Sequence, residues 1–171
     1  EGIQLPEAGK LMGLAAYGKN QANWSNWIET TEGSYDIRVN SYDIAIETEV
    51  LRKLYDQDHI EKNYLKPYIV DLAFKIQQEL EKAILHLIKT AVKETGIKKV
   101  CLAGGVALNS VANYKLLKEL KLEDIFVFPA AGDNGIAAGN ALWAYDNFDD
   151  SNYRSPLASA SLGIEYSHKH I

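Results

Sequence analysis

A single cysteine, a single methionine and four prolines stand in a chain of 171 residues. One cysteine cannot close an internal disulfide, so a cross-linked secreted scaffold is excluded, and no Cys-x-x-Cys pair exists to hold zinc or exchange electrons. Cys101 lies in the apolar run Val100-Cys101-Leu102-Ala103, where a thiol is expected to pack as a small hydrophobe. This usage suits a reducing cytoplasm. Positive charge is also scarce: 18 basic residues against 23 acidic ones give a net charge of −5. Neither a phosphodiester backbone nor an anionic lipid surface finds a general cationic field here, so nucleic acid and membrane are excluded as expected partners. No stretch reaches the roughly 18 apolar residues of a membrane span. The first residues, Glu1-Gly2-Ile3-Gln4, have neither the basic start nor the apolar core of a signal peptide.

Several catalytic signatures are missing as well. There is no Gly-x-Ser-x-Gly and no Gly-x-Gly-x-x-Gly after a strand, which removes support for serine-hydrolase and dinucleotide-binding chemistry. Lys10 follows Gly9, but Gln4 occupies the position where a Walker loop needs its first glycine, and Leu11 stands where it needs Ser or Thr. The four histidines, His59, His86, His168 and His170, show no metal-binding helical spacing and are read as structural or solvated.

What is present is a globular composition, 47% hydrophobic and 24% charged, with enough length for one domain to bury a core. The opening segment from Gly9 to Gly18 is small and apolar, reading as a tight turn or short helix with something pressed closely upon it. From Lys19 to Lys66 the chain turns polar and aromatic; Tyr35 to Val39 alternates as a strand and Ile44 to Tyr55 suits a short helix. The aromatics of this stretch suit a base or sugar, or simply fill a loop-rich core. Tyr68 to Thr95 is the clearest element. Ile69, Leu72, Ala73, Ile76, Leu80, Ala83, Ile84, Leu87, Ile88 and Ala91 recur at helical spacing, with Lys75, Gln78, Glu79, Lys82, His86, Lys89 and Lys93 on the opposite face and Gly96 as C-cap. Next come a strand over Lys98 to Ala103, a helix over Ala107 to Leu120, a strand over Ile125 to Pro129 and an alanine-rich helix over Ile136 to Tyr145. That alternation requires crossovers and predicts a parallel α/β layer. The acidic, Ser-rich stretch after Tyr145 reads as a linker.

Two loops fall at the carboxyl ends of the two strands, Gly104-Gly105-Val106-Ala107-Leu108-Asn109 and Gly132-Asp133-Asn134-Gly135, and each opens into a helix. Ligands of open α/β sheets bind at this edge, glycine admits close backbone approach, and helix N-termini favour phosphate. The same glycines also serve ordinary strand-to-helix turns, and spacing leaves both readings open. Asp133 is either a hard oxygen ligand for a divalent cation or the cap of its own turn. Asn109 either donates to a ribose or base or caps its own helix.

At these loops the chain resembles the O-carbamoyltransferases, a family that includes nodulation-factor, aminoglycoside and cephalosporin carbamoylating enzymes. Four segments carry the resemblance in order: Gly9-Lys10-Leu11-Met12-Gly13-Leu14-Ala15-Ala16-Tyr17-Gly18; Leu102 to Ser110 with Ala112-Asn113; Pro129 to Gly135; and Leu162-Gly163-Ile164-Glu165-Tyr166. Residues 19–66 match no signature. The family often has proline where Ala16 and Ile164 stand and glycine where Tyr114 stands; none of these changes removes a chemical group.

The resemblance implies an actin-like, ribonuclease H-like α/β half domain, a mixed sheet flanked by helices. Residues 1–146 would form the second subdomain of that nucleotide-binding domain, and residues 147–171 a linker toward a YrdC-like domain. It further implies that ATP and carbamoyl phosphate form carbamoyladenylate in the YrdC-like domain. The actin-like domain, similar to the tRNA threonylcarbamoyl transferase, then passes the carbamoyl group to a small-molecule hydroxyl. Gly104, Gly105, Val106, Asn109, Gly132 and Asp133 would contact nucleotide, with Lys10 and Gly13 as further cleft residues and no catalytic side chain assigned. Asp133 would also ligate a divalent metal, iron-type or magnesium, beside a His-x-x-x-His pair that this chain does not contain. The chain is therefore expected to be a piece of the enzyme, inactive alone and dependent on the rest of its own polypeptide. The competing expectations are another actin-like member, such as a sugar kinase or the tRNA-modifying transferase, and a non-catalytic interaction module.

Overall fold

The computed structural model describes residues 8–20, 24–54 and 67–148. His59, His168, His170, the Leu162 to Tyr166 segment and the linker beyond Phe148 lie outside the described residues. The chain divides into two compact units, one made of Glu1–Cys101 with Asn109–Phe126, the other of Leu102–Leu108 with Val127–Ile171. The described elements are a mixture of α-helices and short β-strands.

The first unit is organised by one long helix, labelled here α3 in chain order, running Pro67–Thr95. Proline suits the first helical position, where its missing N–H has no partner to lose. Gly96 ends the helix at φ 70°, its N–H donating to the Val92 carbonyl at 2.9 Å. This is the expected glycine cap, a backbone conformation that side-chain-bearing residues avoid. The helix α1 (Ala8–Ala15) packs along α3. Directly after it, Gly18 sits so close that an added Cβ would overlap the Val70 carbonyl and lie 2.6 Å from Phe74 Cβ. The close neighbour anticipated for this glycine-rich segment is thus α3.

A hairpin and a second helix pack on α3 as well. Strands β1 (Ile28–Thr31) and β2 (Ser34–Ile37) pair antiparallel, from Ile28 opposite Ile37 to Thr31 opposite Ser34. Glu32-Gly33 makes the turn, with Gly33 at φ 72°. Only the second of these strands was expected; Ile-Glu-Thr-Thr is too short and polar to announce the first. Helix α2 (Ser41–Leu54) starts earlier than Ile44 because Asn40 caps it. The Asn40 side-chain oxygen accepts from the N–H groups of Tyr42 at 2.8 Å and Asp43 at 3.0 Å, and Asp43 reaches back to the Asn40 N–H at 3.0 Å. That reciprocal pair is a capping box.

These neighbours change the expected burial of α3 in part: Ala73 and Ala83 of the apolar stripe are buried, and Lys89 and Lys93 of the polar face exposed, as expected. Lys75 and Glu79, expected on a solvent face, are buried, together with Asp71 and Gln77, whereas Ile69, Leu72, Ile76 and Leu80 of the apolar stripe are only half-buried. Burial is tolerated because each polar group finds a partner. Lys75 Nζ lies 2.6 Å from Glu79 Oε1 and 5.5 Å from the Trp27 ring centroid. The other Glu79 oxygen accepts from the Ile28 N–H at 2.9 Å, and Lys82 donates to the Ile28 carbonyl at 2.5 Å. Thr31 O is 2.6 Å from His86 Nε2, and Asp71 accepts from the Lys19 N–H at 2.6 Å. Buried Trp27 donates its indole N–H to Glu47 of α2 at 2.9 Å and meets Trp24 edge-on at 5.4 Å. The charged face of α3 is therefore the seat of the hairpin.

After α3, strand β3 (Lys99–Leu102), helix α4 (Ser110–Glu119), strand β4 (Asp124–Val127) and helix α5 (Ile136–Phe148) follow in the expected order. The predicted helix from Ala107 resolves into a 3₁₀ turn, Gly105–Leu108, and then α4, separated where Asn109 caps the latter. Strands β3 and β4 are hydrogen-bonded neighbours in a two-stranded sheet. Cys101, expected to be packed, is exposed.

Candidate functional site

The second unit contains both glycine loops. Its first loop leaves β3 through Gly104, whose φ of 93° is strained for any residue with a Cβ. The Gly104 N–H donates to the Ala131 carbonyl at 2.8 Å, and the Ala107 N–H donates to the Gly104 carbonyl at 3.0 Å, closing the 3₁₀ turn. A Cβ built at Gly132 would lie 3.9 Å from Gly105 Cα. The two loops expected to share a ligand edge are thus tied directly to each other.

Two different demands act on the glycines here. Gly135 is required by crowding, since a Cβ would overlap the Ala130 carbonyl. Gly105 is not: a Cβ there meets nothing within 4 Å, so the space beside it is open on that side. Val106 beside it is 53% exposed, a β-branched apolar side chain left outside the core. The first N–H groups of a helical turn have no partner within the helix, so this open backbone can donate to an anion.

Asp133 opens the 3₁₀ turn Asp133–Gly135, with Gly132 as its cap residue, and is exposed. Its backbone carbonyl accepts from the Ile136 N–H, and no hydrogen bond engages its carboxylate among the described residues. No group of three or more His, Cys, Asp or Glu side chains positioned to hold a metal exists among the described residues. One carboxylate is not a metal centre, so the donors present do not fit a complete one.

The remaining candidates belong to the first unit. Lys10 and Gly13 are exposed positions on α1, and a Cβ at Gly13 meets nothing within 4 Å. Asn109 is committed to its own helix. Its Oδ1 accepts from the Ala112 N–H at 3.0 Å, the N-cap bond of α4. The same side chain forms a reciprocal pair with Gln77 of α3: Gln77 Nε2 donates to Asn109 Oδ1 at 3.1 Å, and Asn109 Nδ2 donates to Gln77 Oε1 at 2.8 Å. Gln77 had no signal in the sequence. It falls between the apolar and charged stripes of α3, and its partner lies 32 residues away.

Among the described residues no helix is long and apolar enough to cross a membrane. Comparison with known proteins gives a consistent result. Residues 3–142 match the model of the family described as carbamoyltransferase N-terminus. An uncharacterized protein of Synechocystis is 33% identical over 175 residues, covering 95% of this chain and 28% of that protein. The nodulation protein NolNO of Sinorhizobium fredii is 34% identical, covering 90% of this chain and 22% of its own length. Nodulation protein NolO of Bradyrhizobium diazoefficiens is 35% identical over 78% of this chain and 24% of its own length. The chain thus spans about a quarter of the length of these relatives, 28%, 22% and 24% respectively. With a family model spanning residues 3–142 and relatives aligned along most of its length, the chain belongs to the carbamoyltransferase N-terminus family.

Proposed function

We propose that this chain supplies the nucleotide-facing part of an actin-like domain in a larger O-carbamoyltransferase. The observation that supports this most is the paired loop. Gly104 is bonded to Ala131, the space beside Gly105 is open where a Cβ would stand, and Asp133 offers an uncommitted carboxylate on the same compact unit. A polyphosphate needs backbone donors without side chains in the way, and this edge provides them. Gly104, Gly105, Val106, Gly132 and Asp133 would line the nucleotide.

In the full-length protein, water would cleave carbamoyl phosphate to carbamate and inorganic phosphate, and a carbamate oxygen would attack the α-phosphorus of ATP, releasing pyrophosphate and leaving carbamoyladenylate. A hydroxyl oxygen of a small acceptor then attacks the carbamoyl carbon, the bond from that carbon to the adenylate phosphate oxygen breaks, AMP leaves, and the hydroxyl proton passes to a base. Open backbone N–H groups favour the negative charge that grows on the carbamoyl oxygen and the departing phosphate. A divalent cation would lower that charge further when bound. Asp133 would be one ligand for it, the others coming from outside this chain.

ATP binding by the full-length protein tests the reading. Gly105→Val is expected to leave the fold intact, because the new side chain enters open space, while abolishing ATP binding measured by calorimetry. Asp133→Ala is expected to weaken binding of ATP supplied with a divalent cation. Full-length protein that binds no ATP, or Gly105→Val protein that binds it as the parent does, would overturn the proposal.

A further inference from the structure

The hairpin of the first unit has two edges, and among the described residues only one of them is covered. The Arg38 N–H donates to the Trp27 carbonyl at 2.8 Å, one step beyond the register in which Ile28 faces Ile37. Antiparallel strands alternate between pairs that exchange both backbone bonds and pairs that exchange none. The Trp27–Arg38 bond sets that phase, so the pairs Ile28–Ile37 and Thr30–Tyr35 are those whose N–H and C=O groups point outward. On the β1 side, the outward groups of Ile28 are taken by Glu79 and Lys82 of α3. On the β2 side, those of Tyr35 and Ile37 have no partner among the described residues. All four residues of β2 are exposed, Ile37 at 69%. Such an edge is a template for another strand.

The side chains decide which strand fits. Asp36 and Arg38 share one face of the extended run, while Tyr35, Ile37 and Val39 alternate on the other. A two-fold axis through Ile37 sets it against Ile37 of a second copy, in a pair that exchanges both backbone bonds. Asp36 then stands opposite Arg38 of that copy, and Arg38 opposite its Asp36, because the charges flanking Ile37 have opposite sign. Tyr35 falls opposite Val39. An axis through Asp36 would instead oppose two carboxylates. Within one copy Asp36 is poorly neutralised. It pairs directly with Glu29, and Arg38 makes its close contacts with Glu29, at 2.5 and 2.6 Å, standing 3.4 Å from Asp36. A second Arg38 supplies the missing cation. We infer that β2 is a self-pairing edge, through which two copies of this chain join antiparallel at Ile37 with Asp36 and Arg38 facing each other across the seam. The inference is independent of the nucleotide reading, since every residue in it lies in or beside the hairpin.

Sedimentation equilibrium of the full-length protein measures the pairing, and a reversible dimer is expected. Asp36→Arg opposes two arginines at each of the two symmetric contacts and is expected to raise the dimer Kd about tenfold. The same change removes the Glu29–Asp36 repulsion inside the hairpin, so the thermal unfolding midpoint should not fall. Arg38→Asp is expected to weaken the dimer similarly. The double variant Asp36→Arg/Arg38→Asp restores opposite charges in exchanged places, and its Kd should return toward that of the parent. Ile37→Cys adds a geometric readout. Hydrogen-bonded antiparallel partners stand about 5.5 Å apart at Cα, a span that a disulfide bridges. Mild oxidation is therefore expected to link two copies of this variant beyond any linkage through the exposed Cys101 of the parent. Full-length protein that stays monomeric, or that dimerises with a Kd indifferent to Asp36→Arg, overturns the inference. A double variant no tighter than the single ones overturns it too, as does an Ile37→Cys protein that forms no more linked dimer than the parent.

Discussion

Lys121 follows α4 at φ 48°, a left-handed conformation occupied by no other described residue that carries a Cβ. Its neighbours explain why it stays there. The Leu122 N–H reaches back to the Leu117 carbonyl at 3.2 Å, the Leu120 N–H bonds Leu116 O at 3.1 Å, and Leu122 is buried. Lysine thus fills the site that glycine fills in a Schellman motif. Lys121→Gly is expected to raise stability by about 0.5–1 kcal/mol, since relief of the left-handed strain exceeds the added chain entropy. A urea unfolding midpoint that falls instead would contradict this. Gly18 is the opposite case, because there the obstacle is space. Gly18→Ala drives a Cβ into the Val70 carbonyl and is expected to cost about 1–3 kcal/mol in the same measurement. Gly13→Ala, with open space around it on α1, should be neutral or stabilising by about 0.5–1 kcal/mol. Equal effects at the two glycines would show that α1 is not seated on α3 through Gly18.

Among the elements, α3 organises the first unit, and both charged and apolar residues of it are buried. The Lys75–Glu79 pair is buried, at 6% side-chain exposure for both partners. Such a pair adds little over a well-packed apolar replacement, but removing one member strands the other in a poorly solvated place. Glu79 additionally holds the Ile28 N–H, the first residue of β1. Glu79→Ala is therefore expected to cost about 3–5 kcal/mol. Loss of hairpin amide protection at Ile28 should accompany it, read by hydrogen exchange. A cost under about 1 kcal/mol, the range of exposed ion pairs, would show that the pair is solvated. The hydrogen-bonded ring of hairpin, Trp27, Glu47 and α2 depends on the same seat.

For the whole molecule, burial is uneven between the two units. Seven of the 29 residues of α3 are buried, whereas α5 buries none and leaves Trp143 at 62% and Phe148 at 80% exposure. Amides protected by packing open only with the larger unit, while those of a helix without buried contacts open locally. Native-state exchange is expected to show the slowest amides between Val70 and Ala83 and the fastest helical amides in α5. Uniform protection across both helices would mean that α5 is packed in solution as tightly as α3.

The residues themselves determined α3, its proline start and Gly96 end, the later order of strands and helices, and the two glycine loops, because each depends on neighbours a few positions away. The family was legible for the same reason: its segments are contiguous. Tertiary structure alone decided which face of α3 is buried, because a helix touched on several sides has no single solvent face, and Lys75, Glu79 and Asp71 find partners on elements far away in the chain. It decided, too, that Ile28 to Thr31 is a strand, since so polar a segment is held by pairing with Ser34 to Ile37 and by α3 rather than by its own pattern. And it decided that Asn109 caps α4: its oxygen accepts from the Ala112 N–H, and its amide pairs with a glutamine 32 residues distant that no local pattern announces.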